Sequence, residues 1–207
     1  MTTTEKARPS RAAGRPGPKD RILSAAAGLF YVEGINATGV ELIASEAGVS
    51  KRTLYKYFPS KVTLVEQYLA YLRRMVVAPR AGEADGPRER LMRLFTVPEP
   101  GDGRLRGCPF HNAAVEAASA MPEVSEFVHG QKQAFATGII DLCRDCGAPD
   151  PTLLGHQIAL LYEGAAALST SLNDVEPWAY ARATVETLLD LARPDAAGAG
   201  LDGLQRE

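Results

Sequence analysis

From Lys19 onward the apolar residues recur at helical spacing. Ile22, Ala25, Ala26, Leu29 and Phe30 stand at i, i+3, i+4, i+7 and i+8, one face of a helix that Gly34 stops. Thr38-Gly39-Val40-Glu41 has the spacing of a capping box. It predicts a short helix over 40–46, with Thr38 as N-cap, Glu41 reaching back and Gly48 ending the element. Ser50 caps a second short helix over 51–57, Phe58-Pro59-Ser60 breaks it, and Ser60 caps a longer helix over 61–78. Further on, 88–97 carries Leu91, Leu94 and Phe95 on one side, and 98–107 reads as a loop. Pro109, Pro122 and Pro151 each suit the first position of a helix, predicting helices over 109–120, 122–146 and 151–172. A last helix is predicted over 176–193. No useful length alternates with period two, so the chain is predicted to be all-α.

This pattern divides the chain into a flexible basic arm (1–18), a helix-turn-helix domain (19–65), a helical domain (66–193) and a frayed tail (194–207). Composition narrows the class. Of the 207 residues, 45% are hydrophobic and 23% charged, enough apolar material to exclude wholesale disorder. The most apolar stretch, Gln157 to Leu172, is interrupted by Glu163 and is too short to span a bilayer. The first twenty residues lack an apolar core of the secretory type, and three cysteines, an odd number, fit a reducing cytoplasm. Net charge is only −2, but it is unevenly distributed. Residues 1–61 hold ten Lys and Arg against five acids, while the remainder holds thirteen against twenty. A basic head on an acidic body suits a polyanion partner.

The head's chemistry is concentrated in 38–57. Two short helices meet at Gly48, which can take the left-handed conformation a sharp turn requires. Val40, Ile43, Ala47, Val49 and Leu54 form the apolar seam against the first helix, and Ala44 is small where the two short helices cross. The other face of the second short helix presents Lys51, Arg52, Thr53, Tyr55, Lys56 and Tyr57, types that meet phosphates and base edges. Leu54 and Phe58 read as core. Upstream, Gly14-Arg15-Pro16 matches the centre of a minor-groove hook, with Arg15 as the inserting side chain. A solvated basic tail is the competing reading.

The run Ala37-Thr38, Ile43-Ala44, Ala47-Gly48-Val49-Ser50-Lys51 and Thr53-Leu54-Tyr55-Lys56-Tyr57-Phe58-Pro59-Ser60-Lys61 closely resembles the N-terminal domain of the TetR/AcrR family of bacterial regulators. The resemblance covers residues 19–65. It implies a homodimeric repressor whose helical C-terminal domain binds a small molecule and then releases double-stranded DNA at a pseudo-palindromic operator. By position, Thr38, Lys51, Tyr55, Tyr57 and Lys61 fall where the family contacts phosphates. Arg52, Thr53, Lys56 and again Tyr55 fall on the face that approaches bases. Arg52 stands where many members have a small residue, which leaves the base preference open. Gly107-Cys108-Pro109-Phe110, Asn112-Ala113 and Glu116 also look like a string found in a subset of the family.

In the body, the last two helices are the expected dimer surface, with the small run Gly164-Ala165-Ala166-Ala167 allowing close approach. The middle helices are expected to enclose a largely apolar effector site. Its candidate walls are Phe95, Phe110, Phe127, Phe135, Tyr162 and Trp178, and its candidate polar contacts are His111, Asn112, Glu116 and Gln131. An ordinary aromatic core is the competing reading. Cys143-Arg144-Asp145-Cys146 sits at a helix end with no sheet nearby, where inert thiols are the expectation. Cys108, His111, His129 and His156 would complete a zinc site only if the fold gathered them. No cofactor or metal is expected. No catalytic constellation is present, so a regulator is expected rather than an enzyme. A ligand-independent or redox-responsive DNA-binding protein, and a helical adaptor retaining the head as a relic, stay as alternatives.

Overall fold

The computed structural model describes residues 16–77, 86–97, 103–118 and 120–192. Among the described residues there are nine helices and no strand. The head comprises α1 (Pro18–Val32), α2 (Val40–Glu46), α3 (Lys51–Tyr57) and α4 (Lys61–Val77). The body follows with α5 (Pro87–Leu94), α6 (Pro109–Ala117), α7 (Pro122–Asp145), α8 (Pro151–Leu172) and α9 (Glu176–Leu191). Helix starts follow the sequence closely, because six of the nine carry proline in the first turn, whose missing N–H costs nothing there. Residues 1–15 of the expected arm, with Arg15, and the whole of the expected tail lie outside the described residues.

Two apolar cores hold the molecule. The first joins Ile22, Phe30, Ile43, Leu54, Phe58, Leu64 and Tyr68 of the head. It also includes Ala113 and Ala117 of α6 and Val124 and Val128 of α7. The second joins Leu91 and Phe95 with Ile139, Ile158, Ala165, Trp178, Val185 and Leu189. The head is therefore not a separate ball. The division expected after residue 65 falls inside α4, whose Tyr68 and Leu69 are buried with the head, and α6 closes that same core from the body side.

One turn departs from the expected capping box. Gly39, not Thr38, occupies the N-cap of α2, and no side chain caps it. The Thr38 side chain turns inward, where its hydroxyl donates to the Gly34 carbonyl at 2.7 Å. Glu41, freed from any capping role, pairs with Lys51 of α3. The caps expected further along are present: Ser50 Oγ accepts from the Thr53 N–H at 3.1 Å and Ser60 Oγ from the Thr63 N–H at 3.0 Å.

Candidate nucleic-acid interface and effector cavity

The α2–α3 turn is built around Gly48, whose φ of +60° lies in the left-handed region. Arg21 of α1 secures it, donating from Nη1 to the Ala47 carbonyl at 2.9 Å and, more weakly, to the Gly48 carbonyl at 3.3 Å. Ile43 and Leu54 are fully buried beneath it. With α3 seated by Leu54 and Phe58, the opposite face is fixed outward. That face exposes Lys51, Arg52, Tyr55, Lys56 and Tyr57, with Thr53 half-buried and hydrogen-bonded to Ser50 at 2.9 Å.

Electrostatics on this face are local. The Lys51 ammonium holds the Glu41 carboxyl below its ordinary range, and the hydrogen bond to that carboxylate raises Lys51 in turn. Lys51 also stands 6.0 Å from the Tyr55 ring centroid. Lys61, at the start of α4, is pushed down by partial burial and held up in part by Glu116. Thr38 is the correction in this group. It is 0% exposed, with its hydroxyl committed to the end of α1, so its side chain does not present a phosphate contact. Of the remaining expected contacts in the described head, Lys51, Arg52, Tyr55, Lys56 and Tyr57 are exposed along α3, while Thr53 on α3 and Lys61 at the start of α4 are half-buried.

In the body, a cavity of about 330 Å³ opens between α4, α6, α7 and α8. Phe110, Gln131, Phe135 and Tyr162, all expected from the sequence, line it. A second cavity, of about 300 Å³, lies alongside and is lined by His111, Asn112 and Glu116. Cys108 and Glu163 border both. The i, i+4 relation of Asn112 and Glu116 thus brings them to one cavity, but both are already bonded. Asn112 Nδ2 donates to the Arg106 carbonyl at 2.6 Å. The Glu116 carboxylate accepts the Asn36 N–H at 2.8 Å.

Three expected wall residues line neither cavity. Phe95 is fully buried and Trp178 nearly so, standing behind the wall with their rings 6.0 and 5.2 Å from that of Tyr162. Phe127 packs against the head core, because the first turns of α7 belong there. Sequence periodicity marks such residues as inward-facing without saying toward which core. Arg73, Lys132 and Glu163 are not among the candidate effector contacts, although all three border the first cavity. Lys132 and Glu163 form an ion pair, and Lys132 Nζ also lies 3.4 Å from Cys108 Sγ.

The loop before α6 is held tightly. Gly107 has a φ of +64°, and a Cβ there would lie 2.8 Å from the Ala166 carbonyl and 2.4 Å from Thr170 Oγ1. The loop thus lies directly on α8 while reaching the head: Arg106 Nε donates to the Tyr31 carbonyl at 3.0 Å and Tyr31 Oη to the Gly107 carbonyl at 3.3 Å. Cys143 is buried, which pushes its thiol up to about 11, and burial also raises Cys146; all three cysteines are free. Among the described residues, no group of three or more His, Cys, Asp or Glu is placed to hold a metal ion. Among them, too, no helix is long and apolar enough to cross a membrane.

Residues 22–68 match the family described as bacterial regulatory proteins, tetR family. The HTH-type transcriptional regulator EthR of Mycobacterium tuberculosis is 30% identical over 174 residues, covering 77% of this chain and 80% of that protein. The crystal structure of the TetR transcriptional regulator SAV143 from Streptomyces avermitilis superposes with a TM-score of 0.72 at 31% identity, covering 86% of this chain and 98% of that one. SCO4454, a TetR-family transcriptional regulator from Streptomyces coelicolor, superposes with a TM-score of 0.75 at 28% identity over 84% of this chain and 95% of its own.

Proposed function

This chain belongs to the TetR family of bacterial regulatory proteins and is a DNA-binding transcription regulator, and from that premise we propose that it is a homodimeric repressor released from its operator by a small molecule. The observation that carries the ligand-responsive part is the position of α6. Its N-cap Cys108 and its second residue Phe110 border the body cavity, and its last turn carries Glu116, bonded to Asn36 in the head. A ligand that displaces α6 therefore acts on the turn that leads into α2.

In this reading Lys51, Tyr55, Tyr57 and Lys61 contact phosphates, and Arg52, Thr53 and Lys56 approach base edges, with Tyr55 shared between the two sets. Phosphate contacts set register and base contacts set sequence. Two heads joined as a dimer read half-sites one helical turn apart, about 34–36 Å. The dimer surface is the outer face of α8 and α9, where Leu160, Leu168, Leu172 and Tyr180 border an apolar groove while exposed. Packing that groove against a second copy buries side chains that otherwise face water. The protein works in the cytoplasm, where its DNA is.

Repression then follows from two conformers with different head spacing. Effector binding favours the conformer that fits the operator poorly, and linkage requires DNA to weaken effector binding by the same factor. The test is fluorescence anisotropy of the protein on the DNA upstream of its own gene, against a scrambled duplex, across a salt series. Tight, sequence-dependent binding that is lost in the Tyr55→Ala/Lys56→Ala double variant is the expected result. Equal, weak binding to both duplexes overturns the specific-regulator reading.

A further inference from the structure

The first body cavity has an uneven chemistry. Phe110, Phe135 and Tyr162 give it an apolar, largely aromatic lining. Three charged side chains also border it: Arg73 from α4, Lys132 from α7 and Glu163 from α8. Lys132 and Glu163 are paired with each other, with 31% and 32% of their side chains exposed, so both charges are half-open to the cavity rather than sealed in the core. Among the described residues Arg73 has no ion-pair partner. The single carboxylate is therefore committed, and one guanidinium is left over.

We infer that this cavity takes an organic anion, an amphipathic molecule with an aromatic body and one acidic head group that seats against Arg73. The inference rests on the reading of this cavity as the effector site. Three ligand classes compete for such a lining, and their costs differ. A cation meets Arg73 and Lys132 together and has to draw Glu163 away from Lys132, leaving a half-buried ammonium without its partner. A neutral apolar molecule fills the aromatic walls but covers Arg73 without replacing its water. An anion leaves the Lys132–Glu163 pair intact and gives Arg73 the carboxylate or sulfonate its planar fork matches. Lys132 helps as well. Its ammonium has three donors, of which Glu163 and the Cys108 sulfur engage two.

The site also spans the right elements. Arg73 lies on α4, the helix that buries Leu64, Val65 and Tyr68 in the head. Phe110 lies on α6, which reaches the head through Glu116. A molecule with its head group on Arg73 and its ring on Phe110 touches two of the helices that pack into the head core.

Two fluorescent probes with the same aromatic skeleton test this on the full chain: 8-anilinonaphthalene-1-sulfonate and its neutral counterpart N-phenyl-1-naphthylamine. The sulfonate is expected to bind at least about fivefold more tightly, the scale of one partly exposed charge pair. Arg73→Lys should keep that preference and Arg73→Glu should abolish it, with circular dichroism verifying that the fold is retained. Ala134→Trp, which fills the same lining, should weaken both probes. Equal affinity for the two probes, or sulfonate binding indifferent to Arg73→Glu or to Ala134→Trp, overturns the inference. A parallel titration on protein already bound to labelled upstream DNA separates this from the proposed function. Anion-selective binding without DNA release leaves the inference standing and counts against ligand-controlled repression. Release by the neutral probe alone does the reverse.

Discussion

Asn36 and Glu116 are bonded to each other twice across the junction between head and body. The Asn36 N–H donates to Glu116 Oε2 at 2.8 Å, and Asn36 Nδ2 donates to the Glu116 carbonyl at 2.9 Å. The first bond uses a carboxylate on the last turn of α6, and the second uses that turn's own free carbonyl. One asparagine in the α1–α2 connection therefore completes a helix end in the body. The contact is close as well as polar: a Cβ at position 34 would lie 3.0 Å from either Glu116 carboxylate oxygen.

Replacing Glu116 by Ala should loosen communication more than folding. The bond is solvent-exposed, so the expected stability loss is about 1 kcal/mol, or roughly 2–4 °C in Tm for a chain of this size. DNA affinity without ligand should change little, while the ligand's effect on it should fall about tenfold. Thermal denaturation and anisotropy, with and without ligand, check the two parts separately. A variant that loses DNA binding outright would show that the contact serves the head's fold and not its coupling to the body.

Glu41 restrains Lys51 in the free protein, so a phosphate has to compete with a carboxylate for that ammonium. Glu41→Gln should strengthen DNA binding a few-fold at low salt, and the gain should fade as salt screens the surface charges. Lys51→Ala should do the opposite and reduce the slope of log affinity against log salt by about 1. Salt-series titrations of both variants measure this directly.

Thr38→Val keeps the shape of a fully buried side chain and removes its bond to the Gly34 carbonyl. The expected cost is about 1–2 kcal/mol in denaturant unfolding, from a buried carbonyl left short of a partner. Where the variant is folded, its salt slope on DNA should match the parent's, since the side chain faces inward. A lowered slope would return Thr38 to the phosphate-contacting set.

Burial raises the Cys143 thiol to about 11 from an ordinary value near 9. The unfolded chain thus releases this proton first as pH rises, and the folded state binds more protons over the same window. Stability carried by the neutral thiol is complete below pH 9 and declines as pH rises toward 11. Cys143→Ala should be less stable at pH 7 because it opens space in the core, yet should show a shallower alkaline decline. Urea unfolding at stepped pH compares the two slopes.

Leu160 and Tyr180 are 72% and 66% exposed and face the same groove between α8 and α9. Placing a charge there, as in Leu160→Glu or Tyr180→Glu, should give a folded monomer by sedimentation. Its affinity for a full operator should drop by at least about tenfold, because one head alone reads one half-site. A variant that stays dimeric would move the interface elsewhere.

Much of the head was legible because its constraints are local. Ser50, Gly48 and Leu54 each do a job set by their nearest neighbours in the chain, so helix starts, turn and exposed face followed from spacing. Thr38 misled for the same reason. The capping-box pattern is local, but a carbonyl four residues upstream outcompeted it. In the body, periodicity marked Phe95, Phe127 and Trp178 as inward, yet two cores share α7, and only the packing decides which residues face a cavity. Arg73, Lys132 and Glu163 carry no local signature at all, since α4, α7 and α8 bring them together from distant parts of the chain.

The chain has one tryptophan, and it stands directly behind the cavity wall. Trp178 is 9% exposed and its ring meets that of Tyr162 edge-on at 5.2 Å, while Tyr162 itself borders the first cavity. Excitation at the red edge of the absorption band therefore reports on a single indole, one residue away from any bound guest. The protein comes with its own optical gauge. Occupancy of the cavity can be followed in the unlabelled, unmodified chain through the colour and yield of that emission, which makes a blind search through compound collections practical before any operator is known.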